Sequence, residues 1–72
     1  MYPIGRRFRS VSGNILVVDS YEWHYGVLRH RLKNVTSGVI HKFEDMEYFI
    51  GHRLLIPLDD LIRYSIPKLK LR

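Results

Sequence analysis

The sequence predicts a small, mainly β domain, in which about five short antiparallel strands form a barrel with one short helix. Three observations predict this fold class. The chain has 72 residues, which is the length of one compact domain. It contains 14 Val, Ile and Thr but no alanine or glutamine, a composition that favours strands over helices. Its apolar runs are short, and glycine, serine and asparagine separate them at the spacing of hairpins.

The first predicted strand lies within residues 6–11, where Phe8 and Val11 can face a core. It ends at residues 12–14, Ser-Gly-Asn, which have the composition of a turn. The β-branched run 15–21 predicts the central strand.

The central strand leads into an aromatic segment at residues 21–25, and Gly26 breaks the run. Residues 27–33 alternate, as in a half-buried strand. Its predicted core side consists of Leu28, His30 and Leu32. Its predicted outer side consists of Val27, Arg29, Arg31 and Lys33.

A hairpin connection is expected before the next strand, residues 39–43, because Asn34, Ser37 and Gly38 have turn chemistry. Residues 44–51 predict a helix of about two turns, since acids cluster at its start and Gly51 can cap its end. Its buried side is predicted to be Met46, Phe49 and Ile50.

The rest of the chain is predicted to hold a strand at residues 53–56 that Pro57 stops, and a helical turn at 57–61. A last short strand at 62–66 and an alternating basic tail at 67–72 complete a single domain of residues 1–72.

These elements fit either a small, strongly bent barrel or an open antiparallel sheet with a helix against it, and we expect the barrel. The order of elements resembles that of small SH3-like barrels, in residues 5–8, 15–21 and 31–43. Residues 31–43 are also similar in pattern to the strand-turn-strand of many tiny bacteriophage proteins. The resemblance implies an SH3-like fold and a viral origin, but no activity or site residue.

The chain offers little for catalysis or for metal and cofactor binding. It has no cysteine, no nucleophile elbow, no glycine-rich phosphate loop and no paired carboxylate motif. Its histidines have no metal-ligand spacing; they are His24, His30, His41 and His52. We therefore expect a protein that is not an enzyme and has no cofactor or small-molecule substrate. His30 is expected to be a hydrogen-bonded core or edge residue.

The charge is more informative than any motif. The chain has a formal net charge of +5 and a pI near 9.9. Bases dominate residues 1–33 and 61–72, while residues 34–60 hold two bases and five acids. The bases fit either a solvated surface or a phosphate-binding patch. The bases predicted to meet on one side are Arg6, Arg7, Arg9, Arg63, Lys68, Lys70 and Arg72. The outer row Arg29, Arg31 and Lys33 is predicted to extend this patch.

The aromatic segment is the second candidate site. In strand geometry Tyr21, Trp23 and Tyr25 share one face, which fits a stacking platform for bases or the anchor of a protein interface. The structural alternative is that Trp23 plugs the end of the core.

The sequence therefore predicts a binding module that docks on a nucleic acid or on a nucleic-acid-handling protein complex. Two alternatives stay open: a phage-encoded inhibitor that binds a host enzyme, and a small ribonuclease-like toxin that uses His, Arg and Tyr. No export signal or spanning segment is recognisable, which predicts the cytoplasm, or the host cytoplasm if the gene is viral. The protein is expected to be a monomer, or a homodimer through an exposed strand edge such as residues 39–43.

Overall fold

The computed structural model of this protein describes residues 1–58. These residues form β1 (Arg7–Ser10), β2 (Ile15–His24), β3 (Val27–Asn34), β4 (Ile40–Phe43), α1 (Met46–Gly51) and β5 (Leu55–Pro57). The five strands make one antiparallel sheet in the order β4-β3-β2-β1-β5. The predictions for residues 59–72, including the strand at 62–66 and the tail at 67–72, lie outside the described part of the chain.

The predicted class is confirmed, because the described residues form a five-stranded sheet with one short helix. The prediction that the sheet closes into a barrel is wrong for residues 1–58, where β4 and β5 are unpaired edges. A groove of about 320 Å³ opens on the core side of the sheet, with His41 and Phe43 of β4 on its wall opposite Leu54 and Leu55. The fold is therefore the open sheet with a helix against it.

The sheet has a core face and an outer face. The core face carries Phe8, which is fully buried and lies opposite Leu16 and Pro57 in the register. Helix α1 packs on this face through Met46, and Phe49 and Ile50 pack against the same cluster. The buried cluster consists of Phe8, Leu16, Val18, Leu32, Met46 and Leu55.

A β-bulge divides β2 into two halves. The register with β3 is regular up to Val18 and shifts between Val18 and Ser20, so Asp19 is the extra residue. Because side chains alternate along a strand, one extra residue exchanges the faces of everything after it. Val18 before the bulge and Tyr21 after it therefore both face the core.

The β2–β3 hairpin has a two-residue turn, Tyr25-Gly26, between the paired residues His24 and Val27. Both turn residues have positive φ, 51° and 78°, which is the pattern of a type I′ turn. This turn lets β2 run on through the aromatic segment to His24, beyond the predicted end of the strand at Tyr21.

Helix α1 begins after Asp45, whose side chain accepts a hydrogen bond from the backbone N–H of Tyr48. Gly51 was expected to cap the other end, but Gly51 is the last helical residue, and Arg53 holds the left-handed position with φ 60°. The N–H of Leu54 bonds to the carbonyl of Phe49, as in a Schellman motif. After this cap the chain returns to the core at Leu55, which is 2% exposed.

Two other predicted boundaries differ in the structure. Val11 lies in the β1–β2 turn and is 77% exposed, so the prediction that it faces the core is wrong. Pro57 does not stop the last described strand but ends it as a paired residue opposite Phe8. Proline is tolerated here because β5 is an edge strand.

The N-terminal segment extends the core across Tyr21 and His30. The Tyr2 N–H donates to His30 Nε2 at 3.1 Å, and the Tyr21 hydroxyl donates to the Tyr2 carbonyl. His30 is only 6% exposed, which confirms the expected hydrogen-bonded histidine. Burial lowers its pKa from the ordinary value of 6.5.

Deleting Asp19 is expected to preserve a cooperative unfolding transition, because the shortened β2 can still pair Ser20 with Arg31 and Tyr21 with His30, now without a bulge. If Asp19 were an ordinary paired residue, its deletion would instead turn Tyr21 out of the core and the Glu22 carboxylate into it. Asp19→Ala keeps the residue count and should change the free energy of unfolding by no more than about 0.5 kcal/mol. Thermal unfolding followed by circular dichroism compares the two variants. A deletion variant that loses its cooperative transition, while Asp19→Ala keeps it, would contradict the bulge.

The protein is expected to lose stability as the pH falls below about 6.5, where an unfolded histidine gains its proton. The folded state resists protonation because His30 has a lowered pKa and its Nε2 accepts a hydrogen bond. Its contribution is therefore fully present above the unfolded pKa and declines toward the folded pKa. Thermal melts across this pH range should show a weaker pH dependence for His30→Gln. The control His41→Gln, at an exposed position, should keep the pH dependence of the wild type. If His41→Gln weakened that dependence as much as His30→Gln, the assignment to His30 would be wrong.

Candidate functional site

The outer face of the sheet carries six basic side chains from three strands of the described chain. The register places Arg7 beside Val17, Lys33 beside Val17 and Ile40, and Arg31 beside Ser20 and Lys42. The full set is Arg7 and Arg9 on β1, Arg29, Arg31 and Lys33 on β3, and Lys42 on β4. We call this set the basic face.

Glu22 is the acid that the register places among the bases of the basic face, opposite Arg29. Its carboxylate lies 3.3 Å from Arg29, 3.5 Å from Arg31 and 3.4 Å from Lys42. Arg29 is held a second time by Glu44, at 2.8 Å. One end of the basic face is therefore a network in which two carboxylates partly neutralise three cations.

The pKa of Glu22 reflects this surrounding charge. Partial desolvation raises the pKa of the carboxyl group, but Lys42 and Arg29 attract the carboxylate and donate hydrogen bonds to it. The attraction is the larger effect in sum, so the pKa lies below its ordinary value. Glu22 therefore stays ionised throughout the neutral pH range.

The other end of the basic face consists of exposed bases. Arg9 and Lys33 are exposed, and neither forms an ion pair within residues 1–58. Arg7 is exposed beside them and lies in the same cross-strand row as Lys33, with Val17 between. The structure thus brings together bases that lie 24 residues apart in the sequence.

Arg6 does not join the basic face. Its guanidinium lies 5.9 Å from the ring centre of Tyr2 and 6.0 Å from that of Phe8, on the core side of the sheet. Alternation along the chain explains this placement, since Arg6 precedes β1 on the same side as Phe8. Of the three arginines predicted together, only Arg7 and Arg9 share a surface.

The aromatic residues lie away from the basic face, and of the three only Tyr21 and Trp23 share a face of β2. Tyr21 is half-buried, and its ring packs edge-on against His30 at 5.4 Å. Trp23 lies on the core-face side but beyond the core, opposite Leu28, and is 73% exposed. Tyr25 lies in the turn and is 93% exposed. Tyr21, not Trp23, covers the end of the core.

The acids at the start of α1 have structural partners. Glu47 accepts a hydrogen bond from the Tyr2 hydroxyl at 2.8 Å, Asp45 caps the helix, and Glu44 binds Arg29. They line a cleft of about 470 Å³ beside Leu28 and His30. The cleft is acidic, and it lies apart from the exposed bases Arg9 and Lys33.

Sequence reasoning missed Glu22 and Lys42 as members of this surface. A signal for Glu22 existed, because a two-residue turn at Tyr25-Gly26 sets it opposite Arg29. Lys42 depended on the longer β3–β4 connection, whose length does not fix a register. The predicted binding residues Lys68 and Lys70 lie outside the described part, as do Arg63 and Arg72.

Among residues 1–58, no group of three or more His, Asp or Glu side chains is arranged to hold a metal ion. The helix found in this part of the chain is too short to cross a membrane. The chain matches no family model, no curated protein and no solved structure.

Glu22→Gln is expected to lower the Tm at low salt, because Arg29, Arg31 and Lys42 then repel one another without a central anion. The loss should shrink in about 1 M salt, where the Debye length is about 3 Å. Since a carboxyl with a lowered pKa stabilises above its ordinary pKa, the wild type should approach the variant as the pH falls through the lowered value. Asp19→Asn is the matched control, with the same charge change on β2 at a residue that has no ion pair within residues 1–58. Equal effects of both substitutions would argue against the network.

Proposed function

We propose that this protein is a binding module whose basic face contacts the phosphate backbone of a nucleic acid. One observation carries the proposal: six bases from three strands share the outer face of the described sheet. A solvated surface needs no such segregation, because interspersed charges of both signs give the same solubility. Clustered cations on one face are typical of phosphate recognition.

The exposed bases predict how the affinity of such an interface depends on salt and on sequence. Each Arg or Lys that neutralises a phosphate releases condensed counterions, so the affinity falls steeply with salt. Phosphate contacts position a protein on a nucleic acid but carry no sequence information. A sheet face of this kind therefore predicts binding that depends on backbone charge and little on base sequence.

We also propose that the fold is SH3-like. The strand order supports it, since α1 lies between β4 and β5, and β5 returns to pair with β1. The first and last described strands of the chain are therefore neighbours in the sheet. Because β4 and β5 do not pair within residues 1–58, the proposal concerns topology and not closure.

The hairpin tip supports a second candidate function, docking on a protein. Trp23 and Tyr25 expose large aromatic surfaces at the end of the β2–β3 hairpin, beside Val27, which is also exposed. Exposed Trp and Tyr are frequent anchors of protein interfaces. This candidate includes the expected inhibitor of a host enzyme. It predicts a protein partner that is retained after nuclease treatment and lost on Trp23→Ala.

Binding should be measured by fluorescence polarisation of a labelled DNA duplex of mixed sequence at several salt concentrations. The double variant Arg9→Gln/Lys33→Gln is expected to weaken binding by about tenfold or more and to reduce the salt slope by about two units, one for each phosphate contact. Arg53→Gln is the control with a single charge removed away from the basic face. An unlabelled competitor of different sequence should compete equally.

Two results would contradict the proposed function. The first is the absence of binding at low salt. The second is an equal loss of affinity in Arg53→Gln and in the single variants Arg9→Gln and Lys33→Gln. That result would mean that binding depends on the net charge and not on the basic face.

A further inference from the structure

We infer that the preferred ligand of the basic face is a double-stranded nucleic acid and not a single strand. The inference rests on the proposed function and specifies the ligand class for the same surface. Two observations carry it: the arrangement of the bases in two rows, and the absence of aromatic side chains between these rows on the described strands.

The first observation is the spacing of the bases. Arg7 and Arg9 form one row on β1, and Arg31 and Lys33 form a second row on β3. Strand β2 lies between the rows, so their backbones are about 10 Å apart, twice the spacing of neighbouring strands. The two phosphate strands of B-form DNA flank grooves about 6 Å and about 12 Å wide, a separation that long Arg and Lys side chains span. A single strand offers only one line of phosphates.

The second observation is what lies between the two rows. Strand β2 presents Ile15 and Val17 there, and the described strands place no Phe, Tyr or Trp on the outer face. Proteins that bind single strands combine a basic groove with aromatic side chains on which bases stack. The basic face has the charges of such a site without the stacking surface.

The exposed aromatics are too far away to supply the stacking. Trp23 pairs with Leu28 on the opposite face of the sheet. Leu28 and Lys33 are five residues apart along β3, which corresponds to about 17 Å. A single strand that touched both Lys33 and Trp23 would have to cross from one face of the sheet to the other. The Asp19 bulge causes this separation, because it places Trp23 and Glu22 on the faces they occupy.

The other aromatic rings of the sheet are also unavailable. Phe8 is fully buried, Tyr21 is bonded to the N-terminal segment, and Phe43 packs against Phe49 of α1 at 4.9 Å. Opening the core face for base stacking would remove α1 from its core. The interactions left for the basic face are therefore with phosphates on two strands.

The experiment compares a mixed-sequence DNA duplex with each of its separated strands, at equal salt and with the full chain. We expect the duplex to bind at least about tenfold more tightly, with a salt slope near −0.9 per phosphate contacted. Arg9→Gln and Lys33→Gln, one from each row, should each weaken duplex binding several-fold. Trp23→Ala should leave duplex affinity within about twofold, and circular dichroism of each variant shows whether it is folded.

The other possible results separate failure of the duplex inference from failure of the proposed function. Tighter binding of a single strand, or a loss of binding on Trp23→Ala in a folded protein, would overturn the duplex inference and leave the proposed function in place. Dependence on Lys33 but not on Arg9 would overturn it as well, because one row is then sufficient. No binding to the duplex or to either strand would overturn both.

Discussion

The extra residue at Asp19 is the constraint on which the rest of the structure depends. Strand β2 runs for ten residues through the centre of the sheet, and the bulge inverts the side-chain alternation in its second half. Because of that inversion, Tyr21 continues the core that Leu16 and Val18 begin, and Glu22 faces the bases of β3. A regular strand would have placed a carboxylate in the core and an aromatic ring among the arginines. With this sequence, both the apolar cluster and the basic face therefore depend on the bulge at Asp19.

The basic face balances folding against binding. Glu22 holds Arg29, Arg31 and Lys42 together, which relieves the repulsion that closely spaced cations would otherwise feel. At the opposite end, Arg9 and Lys33 have no ion pair within the described residues and keep their charge available to a ligand. A sheet with all its bases neutralised would fold well and bind phosphates poorly, and one with no internal acid would repel itself. The structure places the two requirements at different ends of one surface.

Particular residues show how far the sequence could predict this arrangement. Strict alternation in residues 27–33 correctly predicted that His30 and Leu32 face the core and that Arg29 and Arg31 face outward, since one buried face specifies a period of two. The same rule failed for the joint surface of bases and aromatics. It treated residues 21–25 as one regular strand, whereas Tyr25 belongs to a turn. The bulge at Asp19 also turns Tyr21 and Trp23 to the face opposite the bases. A bulge has no composition of its own, so periodicity alone could not locate it.

By itself, the sequence determined the class of fold, the positions of the hairpins, the short helix and the excess of positive charge, because strand propensity, turn residues and net charge are local properties of the chain. Only the tertiary structure decided that the described sheet stays open, that Arg53 and not Gly51 caps α1, and that Arg7 and Arg9 lie across β2 from Arg31 and Lys33. These outcomes depend on strand register and on packing between residues distant in sequence. Those interactions form only when the whole sheet is assembled, so no local pattern specifies them.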